Sequence, residues 1–93
     1  MRHFIIVKFN DSKNIKELVE PITELFNKSI NIDGIKKVDV HISNTNLSNR
    51  HDLMIEMIVT PEGLKTFDNS EIHKIWKSEY GKYIANKAIF DCD

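Results

Sequence analysis

Four histidines, His3, His41, His51 and His73, supply most of the acid–base chemistry open to this chain of 93 residues. An imidazole titrates near neutral pH, so each could move a proton or ligate a metal. Their spacing argues against the second use. No two of them fall at a recognised ligand interval, and no cysteine or carboxylate is expected in register with them, so no metal site and no cofactor are predicted. The chain has three glycines and no glycine-rich loop that could cradle a phosphate. A Ser–His–Asp set could be assembled only by free choice among residues, which is no argument for one. Cys92 is the single cysteine, with no activating partner to assign, and reads as a surface thiol.

His73 is the sharpest candidate for proton transfer, because it stands at the head of the aromatic stretch that carries Trp76, Tyr80 and Tyr83. At about 100° per residue it lies beside Trp76 and Tyr80, at the edge of an apolar helix face. A ring held there in a partly dry pocket would titrate below its usual value of about 6.5 and could serve as a general base. The plainer alternative is a helix-terminal histidine that packs on Trp76 and bonds to solvent. Tyr80 is displaced from His73 by roughly 10 Å along the helix. It could line the same pocket without replacing a hydroxyl next to His73. His3 heads the first strand and faces inward with Ile5, Val7 and Phe9, a place usual for a structural histidine. His41 alternates with the buried set of its strand and points outward or into a seam between chains. His51 reads as a loop residue before Asp52.

The elements that must hold these side chains can be read from periodicity. Residues 3–9 alternate as a strand, with Phe4, Ile6 and Lys8 on its second face. Asn10, Asp11 and Ser12 offer turn and N-cap chemistry. Ile15, Leu18, Val19, Ile22, Leu25 and Phe26 then recur at helical spacing, with Pro21 predicting a kink or a late helix start. A turn at 31–34 leads to a half-buried strand of Val38, Val40 and Ile42. A polar Asn- and Ser-rich loop spans 43–50. Leu53, Ile55, Met57 and Val59 form a third strand, and Thr60-Pro61-Glu62 opens a short helix. A cap at Asn69 or Ser70 starts the helix of Ile72, Ile75, Trp76, Tyr80 and Tyr83, and Ala88 to Phe90 form the last strand.

This order is β-α-β-β-α-β, which predicts an α+β fold of the ferredoxin-like sandwich type. Two helices cover only one face of such a sheet. Phe4, Ile6, Met54 and Ile58 nevertheless make the other face apolar, a larger patch than monomers tolerate. A second copy related by a two-fold axis is the simplest cover, so a homodimer is expected.

Composition sets the outer limits. Ninety-three residues suit one domain, 1–93, that hides only about 60–65% of its extended surface and would gain from a partner subunit. The 13 basic and 14 acidic side chains are spread along the chain, with no basic run for a nucleic acid. The longest apolar run, Phe4 to Val7, is too short for a membrane span or a signal-peptide core. A single cysteine and no leader lead us to expect a cytoplasmic protein.

With these residues in place, the chain resembles the stress-responsive α/β-barrel (Dabb) family. The matching features are His3 with Ile5-Ile6-Val7-Lys8-Phe9, the turn before Gly34-Ile35-Lys36, Arg50-His51-Asp52-Leu53, His73, and the ending Ala88-Ile89-Phe90-Asp91. Individually these motifs are loose, and their order over nearly the whole chain carries the likeness. The resemblance implies a dimeric α+β barrel with a cavity between sheet and helices in each subunit. His3, Phe67, Ile72, Trp76 and Tyr80 would line that cavity and bind a small apolar or aromatic molecule. In the polyketide cyclases of plants that share this fold, a histidine matching His73 is the base of an aldol closure, partnered by a tyrosine six residues earlier. Phe67 occupies that position here and has no hydroxyl. A His73 base in a cofactor-independent cyclase or monooxygenase is thus the alternative to simple binding. Asn10, His73 and Trp76 supply the residue types used by related monooxygenases, but not at their spacing.

Overall fold

The computed structural model describes residues 1–93. Strand β1 (Arg2–Phe9) leads to helix α1 (Ile15–Asn27), which ends in a 3-10 turn, Lys28–Asn31. Strands β2 (Ile35–Ile42) and β3 (Leu53–Val59) precede α2 (Pro61–Asp68) and the short α3 (Glu71–Ile75). A π-helical turn (Trp76–Tyr80) and a 3-10 turn (Gly81–Tyr83) then lead into β4 (Ile84–Cys92). The sheet order is β2-β3-β1-β4 and every pairing is antiparallel. The fold is α+β and ferredoxin-like, as the periodicity requires. No helix is long and apolar enough to cross a membrane.

Strand parity sets the two faces. Ile5, Val7 and Phe9 of β1 and Leu53, Ile55, Met57 and Val59 of β3 are buried against the helices. From α1, Leu18, Ile22, Leu25 and Phe26 meet them. Ile35 and Val38 of β2 are three residues apart yet both contribute to this core. A bulge between Ile35 and Lys37 makes that possible, since the extra residue restores the inward phase for Val38 and Val40. At the centre Phe26 meets Trp76 edge-on at 5.0 Å and Phe67 at 5.9 Å. These three rings pin α1 to the C-terminal helical segments.

Four local expectations change. The N-cap of α1 is Asn14, whose side chain accepts from the Lys16 amide at 3.0 Å, while Asn10 instead turns the chain by accepting from the Ser12 amide. The helix does not start late, because Pro21 lies inside it. Its ring leaves the Glu17 carbonyl without an intrahelical partner, and burial of Leu18 and Ile22 on either side offsets that loss. The aromatic helix is also not one helix. Ser70 caps it, but regular α geometry stops at Ile75 and the next five residues are wound more widely. Strand β4, by contrast, extends well beyond Ala88–Phe90.

Two glycines fasten α2 to the sheet. Gly34 has φ +90°, and its carbonyl accepts from the Thr60 amide at 2.8 Å. A Cβ on Gly63 would stand 2.6 Å from the Gly34 carbonyl carbon, so backbone meets backbone there. The far face of the sheet has no helix. It carries half-buried Phe4, Ile6, Met54 and Ile58 and an exposed Phe90, whose ring lies 6.3 Å from that of Phe4.

Candidate functional site

A cavity of about 290 Å3 opens between the helix-facing side of the sheet and the α2–α3 segment. Ile5, Leu64, Phe67, Trp76 and Ile89 form its apolar walls. His3, Asp68, His73, Lys87 and Asp91 supply its polar groups. A wider depression of about 650 Å3 beside the β2–β3 loop is lined mainly by polar residues such as Asn14, Asn44 and Asn46. It lacks the facing apolar walls that would hold a small molecule.

His3 points into the cavity because it shares the inward parity of β1, and it is only 6% exposed. Asp91 stands directly opposite it on β4 and thus on the same face. Its Oδ1 lies 2.5 Å from His3 Nδ1. An ionised carboxylate can only accept, so Nδ1 carries the shared hydrogen and Nε2 is the nitrogen left for other partners.

His73 is placed by the cap of α3. Its backbone N–H donates to Ser70 Oγ at 3.3 Å. Its ring stands edge-on to Phe67, with centroids 5.4 Å apart. Burial lowers its pKa below the ordinary value of 6.5; the Asp68 charge opposes this, and Lys77 and Lys87 add to it. The ring is therefore neutral at pH 7 and can accept a proton. The aromatic partner of its ring is Phe67, and Trp76 lines the same cavity.

The early end of α3 relocates one expected lining residue, Tyr80, whereas Ile72 lies within α3 and packs against the core. His3, Phe67, His73 and Trp76 meet at the cavity, whereas Ile72 and Tyr80 do not line it. Tyr80 packs at 6.1 Å from Trp76, outside the cavity lining. Burial, then Glu79, Glu24 and Tyr83, push its phenol above the usual pKa, so it remains protonated. A projection of 100° per residue cannot pass through a π-helical turn. Sequence reading also missed Lys87, Ile89 and Asp91. Their parity with His3 and Ile5 becomes visible once β4 is paired antiparallel to β1.

The remaining histidines lie elsewhere. His51 Nε2 is 3.4 Å from Asn86 Oδ1, in the loop before β3. His41 lies on the open face with its Nε2 3.0 Å from Glu56 Oε1. Asp39, two residues before His41, pairs in register with Glu56. Glu56 is thus diagonal to His41, whose own register partner is Met54. The carboxylate that does stand in register with a histidine is Asp91, opposite His3, against the expectation from spacing, because β1–β4 pairing joins residues far apart in sequence.

No protein-family model and no curated protein matches the chain. Solved structures do. A dimeric ferredoxin-like protein of unknown function from Thermobifida fusca superposes with TM-score 0.79 at 14% identity, over 96% of this chain and 85% of that one. A Dabb family protein with a ferredoxin-like fold from Mesorhizobium loti gives 0.72 at 9% identity, covering 99% and 93%. An antibiotic biosynthesis monooxygenase-like protein from Nitrosomonas europaea gives 0.72 at 15%, covering 99% and 98%. At these identities the likeness establishes the fold.

Proposed function

We propose that residues 1–93 form a single Dabb-type domain that pairs with a second copy and binds a small apolar or aromatic molecule between sheet and helices. The observation that carries this reading is a cavity with five apolar walls and a few polar groups converging on it. Its size suits a molecule of one or two rings. Trp76 lines the cavity and is the only tryptophan, so it reports occupancy directly. Titration with monocyclic phenols and aromatic acids should quench or shift its emission and raise the melting temperature. Leu64→Trp, which fills the space, should abolish both responses. A panel that leaves emission and stability unchanged overturns the reading.

The second reading is a cofactor-independent enzyme with His73 as general base. It is favoured by one observation, the lowered pKa of a histidine bordering the cavity. A cyclase must also stabilise the negative charge that develops on a carbonyl oxygen, and Phe67 offers no donor. Loss of one well-placed donor slows such chemistry by ~10²–10³-fold. Little cyclisation of a linear polyketide is therefore expected from the natural chain. Phe67→Tyr should raise it and His73→Ala in that background should remove the gain. Efficient turnover by the unaltered chain would show that another donor serves.

A further inference from the structure

We propose that Asp39, His41 and Glu56 form a binding site for one divalent first-row transition-metal ion on the sheet face turned away from the helices. Asp39 and His41 are two apart on β2 and so project to the same face, and Glu56 on β3 pairs in register with Asp39. One ligand atom from each of the three lies within 4.8 Å of the other two. Around a tetrahedral ion such atoms sit roughly 3.3–3.6 Å apart, given metal–ligand lengths near 2.0–2.2 Å. His41 Nε2 and Glu56 Oε1 are already 3.0 Å apart. Closing the set requires rotation of the Asp39 carboxylate, a half-exposed side chain. Three protein ligands would leave a fourth position for water.

The donor set selects the ion. One imidazole with two carboxylates suits zinc and its neighbours, whereas magnesium and calcium prefer oxygen alone. The register also gives the sheet a use for the charge. Like charges directly opposite on neighbouring strands destabilise the pairing. Lys37 Nζ, 3.4 Å from Asp39 Oδ2, offsets part of that repulsion and competes with a metal for the same carboxylate. If a second copy covers this face, both carboxylates lose water and the need for a cation grows. That last step rests on the dimer reading, whereas binding to the three side chains does not.

The test titrates the chelator-treated full chain with Co2+, followed by its visible absorption, and with Zn2+ by calorimetry. Expected are one ion per chain, a shift of the His41 ring resonances on zinc addition, and no competition from equimolar Mg2+. His41→Ala and the isosteric Glu56→Gln should each weaken binding at least ~10-fold, as loss of one ligand should. Lys37→Ala should strengthen it, and His51→Ala should leave it unchanged. Absence of binding at millimolar ion overturns the proposal. So does equal binding by the unaltered chain and His41→Ala, or a zinc-induced shift confined to other histidines. Sedimentation with and without zinc scores the oligomeric state separately, so failure of the dimer reading is not mistaken for failure of the site.

Discussion

His73 feels burial and Asp68 pulling its titration in opposite senses, and burial prevails. The fold therefore favours the neutral ring. As pH falls below about 6.5, the unfolded chain takes up this proton before the folded one does. His73 then contributes full stability above that value and loses it as pH drops through the folded midpoint. NMR titration should give His73 a midpoint below 6.5, and His73→Gln should flatten the loss of stability on acidification. A midpoint at or above that ordinary value would return His73 to the solvated surface. Asp52 makes a different single-residue prediction. Its Oδ2 accepts from the buried Phe9 amide at 2.8 Å, just where the β1–β4 register shifts. Asp52→Ala strands that N–H and should cost about 1–3 kcal/mol in urea denaturation. Asp52→Asn, which keeps an acceptor, should recover most of it. Legibility is uneven at this scale. The inward turn of His3 can be read from strand parity, but its partner Asp91 is 88 residues away in sequence. Only strand register could bring them together.

The elements themselves are legible wherever the period stays constant over several residues. β1 and β3 alternate without interruption, and their burial patterns do the same. Periodicity misleads where geometry changes within an element. The bulge in β2 and the π-helical turn after Ile75 each shift the phase of the residues beyond them, and neither carries a residue type that announces it. The changed phase keeps Tyr80 from the cavity, whereas Ile72 precedes the turn and faces the core beside His73. Pro21 shows the reverse case, a strong local signal overridden by core packing on both sides. The joint between α2 and the β2 entry is the element-scale prediction. Because a Cβ at Gly63 meets the Gly34 backbone, the two segments would have to part. Gly63→Ala should cost about 1–3 kcal/mol by overpacking. Gly81→Ala, where a Cβ meets nothing within 4 Å, should not, and thermal denaturation of the two variants compares them directly.

At the scale of the whole molecule, the sheet is apolar on two faces and has helices on one. Phe4, Ile6, Met54 and Ile58 are only half-buried, and Phe90 is 58% exposed on the same side. Water against such a patch is costly at about 25 cal/mol per Å2, so a second copy that covers it is stabilised in proportion to the area removed. Both sheets would then share one apolar layer, and folding would be coupled to association. The melting temperature should therefore rise with protein concentration. Ile58→Lys places a charge at the edge of the layer, which a covering copy would bury, and burial of a charge without a partner is strongly unfavourable. It should yield monomers or unfolded chains in analytical sedimentation. Arg2 lies opposite Ile58 in the β1–β3 register, and Lys37 pairs with it from β2. A lysine at 58 therefore meets two like charges, whereas Ile58→Glu has two cations within reach and should be the milder change. A compact monomer from the unaltered chain at micromolar concentration, with a melting temperature independent of dilution, would show that this face stands open to water.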